Sequence, residues 1–197
     1  MNDHYYTQAP ESESHPRRFT AAPLGKELAF WTDAGVFSKG EIDKGTALLL
    51  ENLPPLAGRV LDLGCGWGAV GVTLKAAQPH LDVVMCDVNE RAIGLSQRNL
   101  RENGLTARVC LCDGLSAFEG ENFEAVVSNP PIRAGKQVIY DLFRQSFDHL
   151  TPGGRLFLVI RKQQGAESAI TYLKGFFQEV VTLKKGGGFW IIQCTKG

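Results

Sequence analysis

Two short stretches of this chain combine residue types that could do chemistry. The first reads Leu61-Asp62-Leu63-Gly64-Cys65-Gly66-Trp67-Gly68-Ala69. Glycines at alternate positions let a chain turn sharply and bring its backbone close to a ligand. A helix starting behind them would offer free N–H groups to an anionic group. Roughly 20 residues further on, Asp87 closes the next apolar run, where an acid can accept hydrogen bonds from ribose hydroxyls. Asp113-Gly114 ends another such run and is placed to meet an adenine edge. These positions predict an adenosine-containing ligand, with Asp62, Gly64, Cys65, Gly66, Gly68, Asp87, Val88, Asp113 and Gly114 as candidate contacts. Gly64, Gly66 and Ala69 also satisfy the G-x-G-x-x-G/A pattern of nicotinamide dinucleotide binders. From the glycines alone the ligand stays open.

The second stretch is Ser128-Asn129-Pro130-Pro131-Ile132. Two prolines in succession fix two backbone torsions and remove two donors, leaving rigid carbonyls. The Asn129 side-chain oxygen and the Pro130 carbonyl could both accept from one planar amino group, which makes them the candidate catalytic pair. An amine conjugated to a ring or carbonyl has a delocalised lone pair. Two acceptors on its hydrogens favour the rehybridised nitrogen and align it for transfer, and no strong general base is required. Pro131, Ile132, Arg133 and Lys136 would line the substrate side, the two cations meeting phosphates. An Asn-Pro-Pro run is also an ordinary tight turn, so its meaning depends on the strand that precedes it.

The elements that must position these loops alternate. Arg59–Leu63, Leu81–Cys86, Ala107–Leu111, Phe123–Val127 and Leu156–Ile160 read as strands, and apolar residues at helical spacing fall between them. Asp43 and Asn89 are N-cap signals, Asn103-Gly104 closes one helix, and Thr151-Pro152-Gly153-Gly154 is expected to end another. The alternation predicts an α/β fold: a mostly parallel seven-stranded sheet with helices on both faces. Two last strands, Phe177–Leu183 and Phe189–Cys194, flank Lys184-Lys185-Gly186-Gly187-Gly188 and imply a C-terminal antiparallel hairpin. Short strands at Arg18–Ala22 and Lys26–Thr32 form an N-terminal β extension. Ligands of such sheets sit beyond the carboxyl ends of the strands, where both loops fall. The expected division is a loosely ordered tail over 1–17, an extension with a covering loop over 18–42, and the main domain over 43–197.

Composition bounds the partners. With 21 Lys plus Arg against 21 Asp plus Glu, the net charge is zero, which argues against holding nucleic acid by bulk electrostatics. A local basic rim remains open: Arg161-Lys162 end the fifth strand on the side of Arg133 and Lys136, whereas Lys184-Lys185 read as solvated charge. The 5 Cys show no C-x-x-C and the 4 His no paired-ligand spacing, so reduced thiols, no metal and a cytoplasmic protein are expected. No apolar run long enough to span a membrane occurs.

Asp62 ahead of the glycines completes D-x-G-x-G-x-G, and with Asn-Pro-Pro after a fourth strand the chain resembles class I S-adenosylmethionine-dependent methyltransferases. Within that class it resembles the single-domain members of the small-subunit ribosomal RNA guanine-N2 methyltransferase C group. The residues that carry this are Thr32 through Ser38, Ile42-Asp43-Lys44-Gly45-Thr46, the Asp62–Gly68 loop, Ser128 through Lys136, Lys162 through Ala166, and the Lys-Gly-Gly-Gly hairpin. The resemblance spans about residues 19–197. It implies S-adenosyl-L-methionine as cofactor. Gly64, Gly66 and Gly68 would lie along its methionine and ribose, Asp87 on the ribose hydroxyls and Asp113 on the adenine amine. Phe37 and Ser38 would close over it, and Asn129 and Pro130 would hold the target amine.

The implied partner is ribosomal RNA or the assembled small subunit, with guanine N2 as the target, and with an adenine amine or a protein glutamine amide as alternatives. A nicotinamide-dependent oxidoreductase and a non-catalytic RNA-binding assembly factor are the readings from other classes. Ile132 stands where related amino-methyltransferases carry Tyr or Phe. Without the second N-terminal domain of two-domain members, a monomer that reads a shaped ribonucleoprotein surface is expected.

Overall fold

The computed structural model describes residues 13–36 and 40–197. The N-terminal strands β1 (Arg17–Ala21) and β2 (Leu28–Thr32) pair antiparallel. Then follow α1 (Lys44–Asn52), β3 (Arg59–Leu63), α2 (Ala69–Ala77), β4 (Asp82–Asp87), α3 (Glu90–Glu102), β5 (Arg108–Leu111) and β6 (Phe123–Ser128). The chain continues through α4 (Lys136–Asp148), β7 (Leu150–Arg161), α5 (Ala166–Leu173), β8 (Glu179–Gly186) and β9 (Phe189–Thr195).

The main sheet has 7 strands in the order β5-β4-β3-β6-β7-β9-β8. Its members are parallel from β5 to β7, and β9 runs antiparallel between β7 and β8. The order reverses between β3 and β6, which opens a crevice above their carboxyl ends. The loops behind those strands are the two stretches singled out above.

Successive strand residues face opposite layers, as the pleat requires. Val60, Val127 and Phe157 pack with Leu49 of α1, Val72 of α2 and Leu95 of α3. Leu61, Val126 and Leu158 pack with Leu142 and Phe143 of α4 and Leu173 of α5. Both faces of the sheet are therefore buried, which is why its central strands are continuous apolar runs.

The N-terminal hairpin is fastened to α3. Asn99 Oδ1 accepts the Trp31 N–H at 2.7 Å, and its Nδ2 donates to the Trp31 carbonyl at 3.0 Å. Asn103 makes the equivalent pair with Ala29, at 2.9 and 2.7 Å. These amides act as a substitute strand for the edge of β2. Phe30 is fully buried, its ring centroid 5.6 Å from Phe19 and 5.0 Å from Trp67. Trp31 is half-buried under the Arg98 guanidinium, 3.4 Å from the ring centroid.

Two boundaries differ from the sequence expectation by more than two residues. The helix α4 ends at Asp148, and Thr151–Gly154 fall inside β7 instead of ending the helix. The C-terminal strand captures this stretch: Gly153 N–H donates to the Lys196 carbonyl at 3.0 Å, and Lys196 N–H to the Gly154 carbonyl at 2.9 Å. The last hairpin is also tighter than expected. Its ladder continues to Gly186 opposite Phe189, leaving only Gly187 and Gly188 as the turn, both at positive φ. A two-residue turn of this kind needs positive φ at both positions and matches the strand twist. Among the described residues no helix is long and apolar enough to cross a membrane.

Candidate functional site

The glycine loop is built by its neighbours. Gly64 and Cys65 N–H groups both donate to the Cys86 carbonyl at 2.9 Å, tying the end of β3 to the end of β4. Ser96 Oγ donates to the Gly66 carbonyl at 2.8 Å and Asn99 Nδ2 to the Trp67 carbonyl at 2.7 Å. A Cβ added at Gly64 would meet nothing within 4 Å, so the space beside it is free for a ligand. Gly68 serves differently. It adopts φ +92°, and a Cβ there would stand 2.9 Å from Met85 Cε and 3.1 Å from Ser96 Oγ. It packs α2 onto the sheet and does not line the crevice.

The crevice itself encloses about 940 Å³, including its open mouth. Of the sequence-predicted residues, Asp62, Gly64, Cys65, Gly66, Asp87, Val88, Gly114, Asn129, Pro130 and Pro131 line it. Asp113 is exposed and, with Gly68, Ile132, Arg133 and Lys136, is not part of that lining. Ile132 packs against the core beneath α4, and Lys136 Nζ lies 5.1 Å from the Tyr140 ring centroid. Phe37 and Ser38 lie outside the described residues. The segment before them is fixed beside Asp87. Asn89 Nδ2 donates to the Gly35 carbonyl at 3.0 Å, an Arg91 Nη donates to the Ala34 carbonyl, and Val36 lines the crevice.

Two carboxyl groups are drawn into this wall. Asp62 is 2% exposed, and its Oδ2 accepts the Gly71 N–H at 2.8 Å. Burial, reinforced by the nearby Asp87 charge, pushes its pKa up to about 7 against the opposing Gly71 hydrogen bond. Asp87 is raised too, by burial, although its oxygens accept the Gly66 N–H at 2.8 Å and the Asn89 N–H at 2.9 Å. Among the described residues neither acid has a cationic side chain in ion-pair contact. The site is therefore electrostatically suited to a ligand that brings positive charge.

The proline loop lies beside the glycine loop, behind the neighbouring strand β6. Ser128 Oγ donates to the Leu63 carbonyl at 2.7 Å and locks this loop to the glycine loop. Pro131 adopts φ −74°, ψ 76°, an inverse γ-turn that brings the Ile132 N–H within 2.8 Å of the Pro130 carbonyl. The Pro131 carbonyl accepts from Ala134 at 2.8 Å. Each carbonyl thus has one lone pair engaged and one left. Asn129 Nδ2 donates to Thr46 Oγ1 at 3.0 Å, and Thr46 with Asp43 also lines the crevice. Sequence reasoning used Asp43 only as a helix cap and gave Thr46 and Ser128 no role at the site. Their signal was contact across 83 and 65 residues of chain, which no local pattern carries.

Around the same rim the cations are unevenly paired. Arg18, Arg59, Arg91, Arg108, Arg144 and Lys162 are in ion pairs with carboxylates. Among the described residues, Arg133, Lys136, Arg161, Lys184 and Lys185 are exposed and make none. Arg161 lies 4.6 Å from the Phe189 ring centroid and Lys185 3.9 Å from that of Trp190, both at the turn end of the β8–β9 hairpin. That end shares the carboxyl-end rim of β7 with the crevice, so Lys184 and Lys185 belong to the rim and are not scattered charge.

Residues 27–193 match the family model described as the methyltransferase small domain. The chain belongs to that family. The Bacillus subtilis protein YbxB is 39% identical over 200 residues, covering 100% of both chains. Ribosomal RNA small subunit methyltransferase C of Pseudomonas entomophila is 37% identical over 200 residues, covering 96% of this chain and 58% of its own length. This chain therefore spans little more than half of that relative. Among solved structures, the T. thermophilus 16S rRNA N2 methyltransferase RsmC, in complex with AdoMet and guanosine, superposes with TM-score 0.84. It shares 30% identity and covers 95% of this chain and 52% of its own. A Pyrococcus furiosus methyltransferase, at 22% identity and TM-score 0.65, shares the fold. As a methyltransferase small domain, the chain has the class I methyltransferase architecture, and the nicotinamide alternative drops away.

Proposed function

We propose that this enzyme transfers a methyl group from S-adenosyl-L-methionine to the exocyclic N2 amine of a guanine in small-subunit ribosomal RNA, in the cytoplasm. The observation that carries the reading is the likeness over 95% of the chain to a 16S rRNA methyltransferase bound to AdoMet and guanosine. The chemistry of the crevice agrees. S-adenosyl-L-methionine supplies, when bound, an electrophilic methyl group on a cationic sulfonium. Asp62 and Asp87 would hold the cationic and ribose portions, with Gly64, Cys65, Gly66, Val88 and Gly114 along the adenosine and Asp113 at its edge. The segment through Phe37 and Ser38 would cover the cofactor, as part of an N-terminal extension over 18–42 joined to the catalytic domain over 43–197.

Asn129 Oδ1 and the free lone pair of the Pro130 carbonyl would accept the two N–H groups of the target amine. That arrangement holds the nitrogen lone pair toward the methyl group and stabilises the transition state as positive charge develops. Pro131 would form an apolar surface beside the base, with Ile132 packed behind it. The target would be single-stranded or flipped, because a paired amine does not reach such a pocket. Arg133, Lys136 and Arg161 would meet the flanking phosphates, which position a nucleic acid without reading it.

The test is methylation with labelled S-adenosyl-L-methionine of naked small-subunit RNA, assembled small subunits or total protein, followed by digestion. Label in N2-methylguanosine is the expected result. Label in adenine or in a glutamine side chain would overturn the guanine assignment.

A further inference from the structure

The side chain of Asn129 could present either end of its amide to the crevice, and only one end accepts hydrogen bonds. We propose that Thr46, polarised by Asp43, is a positioning residue that decides which end faces the substrate. The inference rests on the reading of Asn129 as the acceptor for the target amine.

The available protons fix the orientation. Asp43 caps α1: its Oδ1 accepts the Gly45 N–H at 2.9 Å and the Thr46 N–H at 3.1 Å. Its Oδ2 accepts the Thr46 hydroxyl. A carboxylate only accepts, so the single hydroxyl proton of Thr46 is committed to Asp43. Toward Asn129, 3.0 Å away, Thr46 Oγ1 can then only accept, which obliges Asn129 to turn its Nδ2 toward Thr46. The amide oxygen is the end left for the crevice.

The relay is dry and rigid. Thr46 is 4% exposed, so bulk water does not replace either partner. Gly45 holds the first turn of α1 against β9, since a Cβ there would stand 2.8 Å from Phe189 Cε1. A carboxylate at a helix cap thus sets the polarity of a catalytic amide on a different strand end.

Three variants test this, each measured for kcat, for KM toward RNA, for S-adenosyl-L-methionine affinity by calorimetry and for melting temperature. Thr46→Val removes the anchor at nearly constant shape and is expected to lower kcat by about 10- to 100-fold, with cofactor affinity within about twofold. Thr46→Ser keeps the hydroxyl and restores kcat to within about threefold of the parent. Asp43→Asn is the decisive variant, because Asn caps a helix as well as Asp does. Its new amide nitrogen would donate to Thr46, the hydroxyl would then donate to the Asn129 oxygen, and the Asn129 amino group would turn toward the substrate amine. Melting should hardly change, while kcat falls as far as in Thr46→Val.

Parent-like kcat in Asp43→Asn, or a fall in cofactor affinity parallel to kcat, would overturn the proposal. Should Thr46→Val fail to fold, Asp43→Asn and Thr46→Ser still decide it. Asn129→Ala separates the two levels. Full turnover in that variant sinks the reading of Asn129 itself. A dead Asn129→Ala beside fully active Asp43→Asn and Thr46→Val sinks the relay alone.

Discussion

Asn129 and Asp62 line one crevice from the neighbouring strands β6 and β3 and are expected to fail in different ways when altered. Asn129 lines the crevice and is the proposed acceptor for the target amine, so Asn129→Ala should lower turnover by about 100-fold while S-adenosyl-L-methionine affinity stays within about twofold. Single-turnover kinetics with calorimetry checks both, and a parallel loss of cofactor binding would contradict the assignment. Asp62 should make cofactor binding depend on pH. Its pKa is raised from 3.8 to about 7 in the folded protein, so below pH 7 the free crevice is largely protonated there. A cationic ligand favours the ionised form, so binding releases a proton, and affinity should rise with pH up to about 7 and then level off. Isothermal titration between pH 6 and 8 checks this; Asp62→Asn should flatten the profile. For folding the sign is opposite. An acid that holds its proton more tightly when folded contributes stability below pH 3.8 that is lost as pH rises through about 7.

At the scale of elements, side chains that satisfy backbone groups of other elements carry the assembly. Asn99 bridges β2 and the glycine loop through hydrogen bonds to Trp31 N–H, the Trp31 carbonyl and the Trp67 carbonyl. Truncation in Asn99→Ala would leave these groups buried without partners, at a cost of about 2–4 kcal/mol. Urea unfolding should show that loss, accompanied by weaker cofactor binding because the hairpin and the glycine loop share the residue. Most elements were legible from the chain: Asp43 and Asn89 do cap α1 and α3, and β3 has the expected bounds. The start of β7 was not. Thr151-Pro152-Gly153-Gly154 has turn composition, and it joins a strand only because Lys196, 42 or more residues away in sequence, supplies its partners. The site was legible where it depends on residue type behind a strand. Asp43, Thr46 and Ser128 act across the fold, and their composition is that of ordinary caps and strand ends.

Across the whole molecule, zero net charge conceals a segregation. Asp62 and Asp87 are drawn into the crevice wall, and Glu121 and other acids are held in ion pairs. Arg133, Lys136, Arg161, Lys184 and Lys185 stand exposed at the carboxyl-end rim, without ion pairs among the described residues. RNA binding should therefore be local and salt-sensitive. Reversing Arg161→Glu with Lys184→Glu should weaken binding and reduce the slope of log affinity against log salt by about 0.7–0.9 for each phosphate that is no longer neutralised. Filter binding across a salt series measures it, with cofactor affinity as the unchanged control. An unaltered slope would place the RNA elsewhere.

The chain by itself determined the alternation of strands and helices, and it carries the residue types on which the proposed roles of the Asp62–Gly68 loop and of Asn129-Pro130 rest. Those properties reside in residue type and in spacings shorter than one strand–helix unit, and a local pattern can express them. Tertiary structure alone decided that Lys184 and Lys185 join the rim, because that depends on how the last hairpin adds to β7. It also decided the orientation of the Asn129 amide, because its determinant, the Asp43–Thr46 pair, reaches it only when α1 lies against β7 and β9. A hydrogen bond has polarity, and polarity across distant elements is set when they meet.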